Sequence, residues 1–339
     1  MRNSPCKIKI AGCAKTAPQT IRILSIDGGG IRGIIPAMLL AEIERRTQQP
    51  IASLFHLVAG TSTGGILALG LTVPRSAGWP PYTAQQFVSM YTQKGRRIFH
   101  RSFWRKLFAV DNLAWKKYSC AGMEQVLLEY FGDGRLSDTV TDVLIASYEI
   151  ERRLPFFFRS TNARQRPDYD FPARHVARAT SAAPSYFEPM RLVNGAAGKH
   201  YTLIDGGVFA NNPAACALVE ARAIYPRAGA YVVVSLGTGS SARSLPLRRS
   251  RYWGAALWAK PLLDVVFDGV SSTVDYQLRQ LLPDKCYYRF QTALTGYNHS
   301  FDNAGRRNIA GLQELARNLI EKESGKLEEL CHALLTSPS

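Results

Sequence analysis

The apolar residues of this chain fall into short runs that alternate with segments of helical period. "IRILSI" (Ile21–Ile26) reads as a strand, and the apolar positions of "IIPAMLLAEIERRT" behind it fit one face of a helix. "LFHLVAG" (Leu54–Gly60) predicts a second strand and "GGILALGLTV" (Gly64–Val73) a buried helix. "DVLIASYEI" and "PFFFRS", within 142–160, predict two more strands. "YTLIDGG" (Tyr201–Gly207) and "AYVVVSLGTG" (Ala230–Gly239) add another two, with "NNPAACALVEARAI" as a helix between them. Strand, loop and helix in repeated order imply parallel strands covered on both faces. The fold class this predicts is α/β, three layers around a mainly parallel central sheet. Two regions break the rhythm: 74–122, rich in aromatic and basic residues, and 240–260, a basic loop carrying Trp253 and Trp258. "AGLQELARNLIEKESGKLEELCHALL" then predicts one or two amphipathic helices. No composition shift marks a boundary. We therefore expect a lead-in at 1–20, a core at 21–239, and a basic loop and helical elaboration at 240–339 packed on the same domain.

Composition changes this picture at one point. The 339 residues are 46% hydrophobic, ordinary for a full-sized core, but the formal net charge is +16. Such a charge attracts something anionic, whether nucleic acid, an acidic membrane surface or a phosphorylated ligand, and solubility alone accounts for it equally well. No recognised nucleic-acid-binding motif is present, so no nucleic-acid partner is expected. No apolar run approaches the roughly 18 residues of a membrane span. The first twenty residues lack a signal-length apolar stretch, and the expected location is cytoplasmic. Six cysteines share no metal-site spacing.

Chemistry gathers in two glycine-rich loops, "SIDGGGIRG" (Ser25–Gly33) and "AGTSTGG" (Ala59–Gly65), each between a predicted strand and a helix. Gly28, Gly30 and Gly33 satisfy the dinucleotide pattern G-x-G-x-x-G, yet the ribose-binding acid expected about 20 residues on is missing. A phosphate-binding Walker loop fails, since no G-K-[ST] follows either cluster. "GTSTG" (Gly60–Gly64) is a G-x-S-x-G in the setting of a nucleophile elbow, which would present Ser62 at a helix N-terminus where backbone N–H groups favour negative charge. Such a serine needs a base. Among the histidines, His56 falls in the strand before the serine, pointing away from the catalytic end. His299 and His332 lie in the C-terminal elaboration outside any motif, and His100, His175 and His200 complete the set. Asp205, in "LIDGGVFANNP", ends an apolar run where a parallel sheet delivers functional side chains, and a shielded aspartate gains basicity.

"DGGGIRG", "GTSTG" and "DGG" in this order, with "RATSAAPSYFEP" (Arg178–Pro189), "IDGGVFANNPAACALVEA" (Ile204–Ala221) and "VVSLGTG" (Val233–Gly239), closely resemble the patatin-like phospholipases. The resemblance covers roughly Arg22 to Gly239. It implies a serine lipid acyl hydrolase with Ser62 as nucleophile, Asp205 as its base, and Gly28, Gly29 and Gly30 as the oxyanion hole, needing neither metal nor cofactor. Arg32 has two readings: support for an oxyanion or phosphate, or a structural pair with a carboxylate such as Asp27 or Glu42. The resemblance also implies a phospholipid membrane surface, anionic in keeping with the charge, as partner. Some bacterial relatives of this size resemble antiphage effectors switched on by cyclic nucleotides, which makes such an activator a further expectation. The alternative is a non-catalytic storage or scaffold protein of the same fold. "RRIFHRSFWRKLF" (Arg96–Phe108), treated as a helix, sets Phe99, Phe103, Trp104, Leu107 and Phe108 opposite Arg101, Arg105 and Lys106, the pattern of an interfacial helix or of a core-facing one.

Overall fold

The computed structural model describes residues 19–75, 80–98, 119–194, 198–241, 245–294 and 300–336. The first apolar run forms the central strand β1 (Thr20–Ile26), buried at all but its first residue. Such a strand must meet helices on both faces. The other strands are β2 (Leu57–Thr61), β3 (Asp142–Glu149), β4 (Leu154–Arg159), β5 (Met190–Asn194), β6 (Lys199–Asp205), β7 (Ala230–Leu236), β8 (Ser240–Ser241), β9 (Tyr287–Phe290) and β10 (Ala293–Leu294). β9, β7, β1, β2 and β3 lie side by side in that order and run parallel. β4 and β6 run antiparallel to β3, β5 runs antiparallel to β6, and β8 pairs with β10 outside the sheet.

Side chains leave the sheet with the two-residue period of a strand. Leu24 and Ile26 join Val58 and Ile145 in one buried cluster, while Ile21 and Ile23 join Leu57, Ala59 and Leu144 in another. The first cluster is completed by α1 (Ile34–Thr47), α2 (Thr63–Gly70), α3 (Ala84–Ile98), α4 (Ala121–Phe131) and α5 (Ala173–Thr180). The second is closed by α6 (Ala214–Ile224) and the C-terminal half of α7 (Ala255–Leu281). α8 (Arg306–Lys322) and α9 (Ser324–Thr336) return to the first face, where Leu312, Leu327 and Leu330 share a cluster with Leu39 of α1. The result is three layers, helices on both faces of a mixed sheet.

Several elements differ from the sequence reading. Ile51–Leu54 is a helical turn, and pairing of β2 begins only at Leu57, so His56 precedes the strand. Residues 255–260, Trp258 among them, open a 27-residue helix instead of belonging to a loop. β5 and β9 were not legible, being short and interrupted by charge, and β9 brings part of the C-terminal stretch into the sheet itself. Arg96–Ile98 form the last turn of α3, while Phe99–Phe108 lie outside the described residues, as do residues 1–18. Among the described residues no helix is long and apolar enough to cross a membrane.

Candidate active site

β2 ends at Thr61 and α2 begins at Thr63, leaving Ser62 alone to turn the chain. Its backbone sits at φ 54°, ψ −123°, a conformation that costs a non-glycine residue about 1–3 kcal/mol and persists only where the surroundings impose it. They do so through Thr180. The Ser62 N–H donates to Thr180 Oγ1 at 2.9 Å, and that hydroxyl donates onward to the Ala146 carbonyl at 2.5 Å. The Ser62 carbonyl accepts the Ile66 N–H at 3.1 Å, which starts the helix. A Cβ on Gly60 would strike the backbone of Gly64, and one on Gly64 would strike the carbonyls of Ile26 and Asp27. Strand and helix approach too closely for any other residue at either position.

Asp205 reaches the same place from the opposite direction. β4 occupies one edge of β3 from Leu144 to Glu149, so β2 and β6 must share the other. Along that edge Thr61 pairs with Ala146 and Asp205 with Ser147, so the two strands arrive head to head. This amends the sequence reading, which set Asp205 on a strand parallel to β2. The Ser147 hydroxyl secures the junction by donating to the Ile204 carbonyl at 2.6 Å. Asp205 is 1% exposed. Its Oδ1 accepts the Gly207 N–H at 2.8 Å, and the Ser62 hydroxyl shares the cavity with its carboxylate, near enough to pull its pKa down. Burial pushes its pKa up to about 6, against the downward pull of the Ser62 hydroxyl and the Gly207 N–H.

The glycine loop after β1 is held peptide by peptide. The Gly28 N–H donates to the Asn211 carbonyl at 3.0 Å, so this glycine, expected as an oxyanion donor, has its N–H engaged. The Gly28 carbonyl accepts the Thr238 hydroxyl at 2.6 Å, and the Gly29 carbonyl accepts the N–H and Nε of Arg32 at 3.2 and 3.4 Å. In a planar trans peptide the next N–H points opposite to the carbonyl. Anchoring these two carbonyls therefore turns the N–H groups of Gly29 and Gly30 to the other side. Neither donates to a protein acceptor among the described residues, and both residues border the cavity that holds Ser62 and Asp205. Thr63, the first residue of α2, borders it too, its hydroxyl bonded to that of Tyr91.

Arg32 is 3% exposed, with its guanidinium 3.9 Å above the Phe301 ring. Burial lowers its pKa to about 10, while the charges of Asp268 and Asp264 oppose that shift. The carboxylates named as its candidate partners are held elsewhere. Asp27 receives both Arg289 nitrogens at 2.9 and 2.7 Å, and Glu42 receives Arg45 and Arg46. Arg32 thus braces the loop through Gly29.

The cavity is lined largely by apolar side chains, among them Ile66, Met90, Met123, Phe187, Phe267 and Phe301. Its polar groups include Ser62, Asp205, the two glycines and the Ser181 hydroxyl, which has no hydrogen-bond partner among the described residues. No described histidine borders it. His56 Nδ1 accepts the Arg22 N–H at the far end of β1, His175 faces a separate cavity, His200 pairs with Glu151, and His332 is exposed on α9. His100 and His299 lie outside the described residues. A serine hydroxyl, a desolvated carboxylate and unengaged amide donors bordering one apolar cavity supply what acyl transfer from an ester requires. Thr180 and Thr238, which position the turn and the loop, escaped the sequence reading because a lone threonine, in "RATSAAP" or in "SLGTG", carries no signal of its own.

A sequence profile for the patatin-like phospholipase family matches residues 24–218. Patatin-like protein 2 of Arabidopsis thaliana is 34% identical, covering 89% of this chain and 83% of that protein. Probable inactive patatin-3-Kuras 1 of Solanum tuberosum is 30% identical over 91% of this chain and 88% of its own. The crystal structure of VipD from Legionella pneumophila aligns with 89% of this chain and 67% of that one at 12% identity and a TM-score of 0.33, too loosely for sites to be compared.

Proposed function

The chain belongs to the patatin-like phospholipase family, and from that premise we propose that it hydrolyses fatty-acyl esters of membrane glycerophospholipids through Ser62 and Asp205. The observation that carries the reading is that Ser62 and the buried carboxylate of Asp205, its pKa raised, line one apolar cavity together. Ser62 Oγ attacks the ester carbonyl while Asp205 takes its proton. The oxyanion forms facing the N–H groups of Gly29 and Gly30, near the N-terminus of α2. Asp205 returns the proton to the departing alkoxide, and water, activated by the same carboxylate, then releases the fatty acid and restores Ser62. The acyl chain occupies the apolar cavity.

The test is fatty-acid release from anionic and neutral phospholipid vesicles, together with labelling by a fluorophosphonate probe. Wild type should label and hydrolyse. Ser62→Ala should do neither, and Asp205→Ala should lose roughly 10^3-fold or more in rate, in line with the loss of a general base that activates a nucleophile. Running each with and without cyclic dinucleotides asks whether the activity is switched. Absence of both labelling and hydrolysis in wild type, under every condition, would return the chain to the storage or scaffold reading.

A further inference from the structure

The wall of the cavity formed by α7 has an outer side that the proposed reaction does not use. Leu263, Asp264 and Phe267 border the cavity. Trp258, Leu262, Val265 and Gly269 follow at spacings of four, three and four, which sets them on one stripe of the same helix, turned away from that wall. Leu247, Tyr252, Leu257, Leu262 and Val265 are each 46% or more exposed. Leu128, Val140 and Val219 are exposed as well, but each stands apart in sequence, and elsewhere exposed apolar residues come at most in pairs such as Ile150 and Leu154, whereas five gather here within nineteen positions. Trp253 and Trp258 stand edge to face with ring centroids 5.3 Å apart. Arg248 and Arg251 flank the patch, both exposed. From Ser240 to Val265 the sequence holds five cations, Arg243, Arg248, Arg249, Arg251 and Lys260, against one carboxylate, Asp264, which borders the cavity.

We propose that residues 247–265 form a docking surface for an anionic lipid bilayer, with Leu257, Leu262, Val265 and the tryptophans entering the headgroup layer and Arg248 and Arg251 meeting lipid phosphates. This rests on the lipid-hydrolase reading and deepens it, since the helix that would rest on the membrane also walls the cavity that would take the acyl chain. Aliphatic and aromatic residues bordered by cations are what an interfacial helix presents to anionic lipid. A second copy of the chain is a poor occupant. A two-fold contact would set this cationic patch against itself, between molecules each carrying a net charge of +16.

The test separates docking from chemistry. In the Ser62→Ala background, co-sedimentation is measured with vesicles of phosphatidylglycerol and phosphatidylcholine, and with phosphatidylcholine alone, at low and high salt. Binding should require the anionic lipid and weaken with salt. A Leu262→Glu/Val265→Glu variant should bind roughly tenfold or more weakly, since each change sets a charge where an apolar side chain enters the interface. Arg248→Glu/Arg251→Glu should lose the preference for anionic lipid. With Ser62 restored, the Leu262→Glu/Val265→Glu variant should lose vesicle hydrolysis to the same extent yet keep wild-type turnover of a soluble short-chain ester. Wild-type failure to sediment, or unchanged sedimentation by the glutamate variant, overturns the proposal. So does an oligomer in solution that the glutamate variant dissociates. Loss of soluble-ester turnover in wild type would instead sink the hydrolase reading.

Discussion

Asp205 shows at the scale of one residue how burial serves the proposed chemistry and strains the fold. The base works only as a carboxylate, so kcat/KM for a soluble ester should fall as pH drops through about 6, and a pH–rate profile reads this directly. Folding raises this pKa, so between about pH 4 and pH 6 the native protein holds a proton that the unfolded chain has released. Stability from this group therefore declines as pH rises through that window and is lost above it. Asp205→Asn keeps an acceptor for the Gly207 N–H and removes the buried charge. It should abolish turnover while stabilising the fold at neutral pH by up to about 3 kcal/mol, the equivalent of two pKa units, with the gain vanishing below about pH 4 in urea titrations. Thr238 offers a complementary case. Thr238→Val removes the hydroxyl that anchors the Gly28 carbonyl and should free the Gly29 N–H to rotate. We expect kcat to fall roughly tenfold, less than the loss of a whole oxyanion donor, with KM little changed and Thr238→Ser near wild type. An equal loss in Thr238→Ser would contradict a role carried by the hydroxyl.

At the scale of elements, the site is a meeting of two strand ends on one edge of β3, and only half of that meeting can be read from the sequence. β1, β2, β3 and β7 are apolar runs bounded by glycine or charge, and the turn at Ser62 is announced by Gly60 and Gly64. The direction of β6 is silent in the sequence. "KHYTLID" pairs with β3 either way, and its orientation follows from the register of Asp205 on Ser147, fixed by residues far along the chain. The glycine loop has the same limit. Gly28, Gly29 and Gly30 look alike in sequence, and what distinguishes them is the Asn211 carbonyl and the Thr238 hydroxyl, each about two hundred residues away. The packing of β1 against α2 at Gly64 yields a sharp expectation. Gly64→Ala sets a methyl group against the Ile26 and Asp27 carbonyls, where only backbone movement makes room. It should destabilise by about 3 kcal/mol by thermal or urea unfolding and remove fluorophosphonate labelling even in molecules that remain folded.

The molecule as a whole ties the start of the chain to its end beneath the site. Asp27, next to the glycine loop, receives two hydrogen bonds from Arg289 on β9, and both side chains are nearly inaccessible. Burial pushes the Asp27 carboxyl up, and the Arg289 guanidinium pulls it back down. Arg289 also donates to Ser235 on β7 at 2.8 Å, so a single guanidinium links the end of β1 to β7 and to the edge strand β9. The loop geometry that aims Gly29 and Gly30 thus depends on a residue that no motif near the loop contains. Removing one partner leaves the other charged and dry, which costs about 3–5 kcal/mol, whereas removing both lifts that penalty. Arg289→Met should accordingly lose several kcal/mol at neutral pH and recover part of it in mild acid, where Asp27 takes up a proton. Asp27→Asn/Arg289→Met should be markedly more stable than Arg289→Met. If the pair serves only to hold the fold, the double variant will regain ester turnover together with its melting temperature. If it also fixes the loop, stability will return while kcat stays low, because a neutral pair cannot hold the peptide after Ile26 as two charge-assisted bonds do.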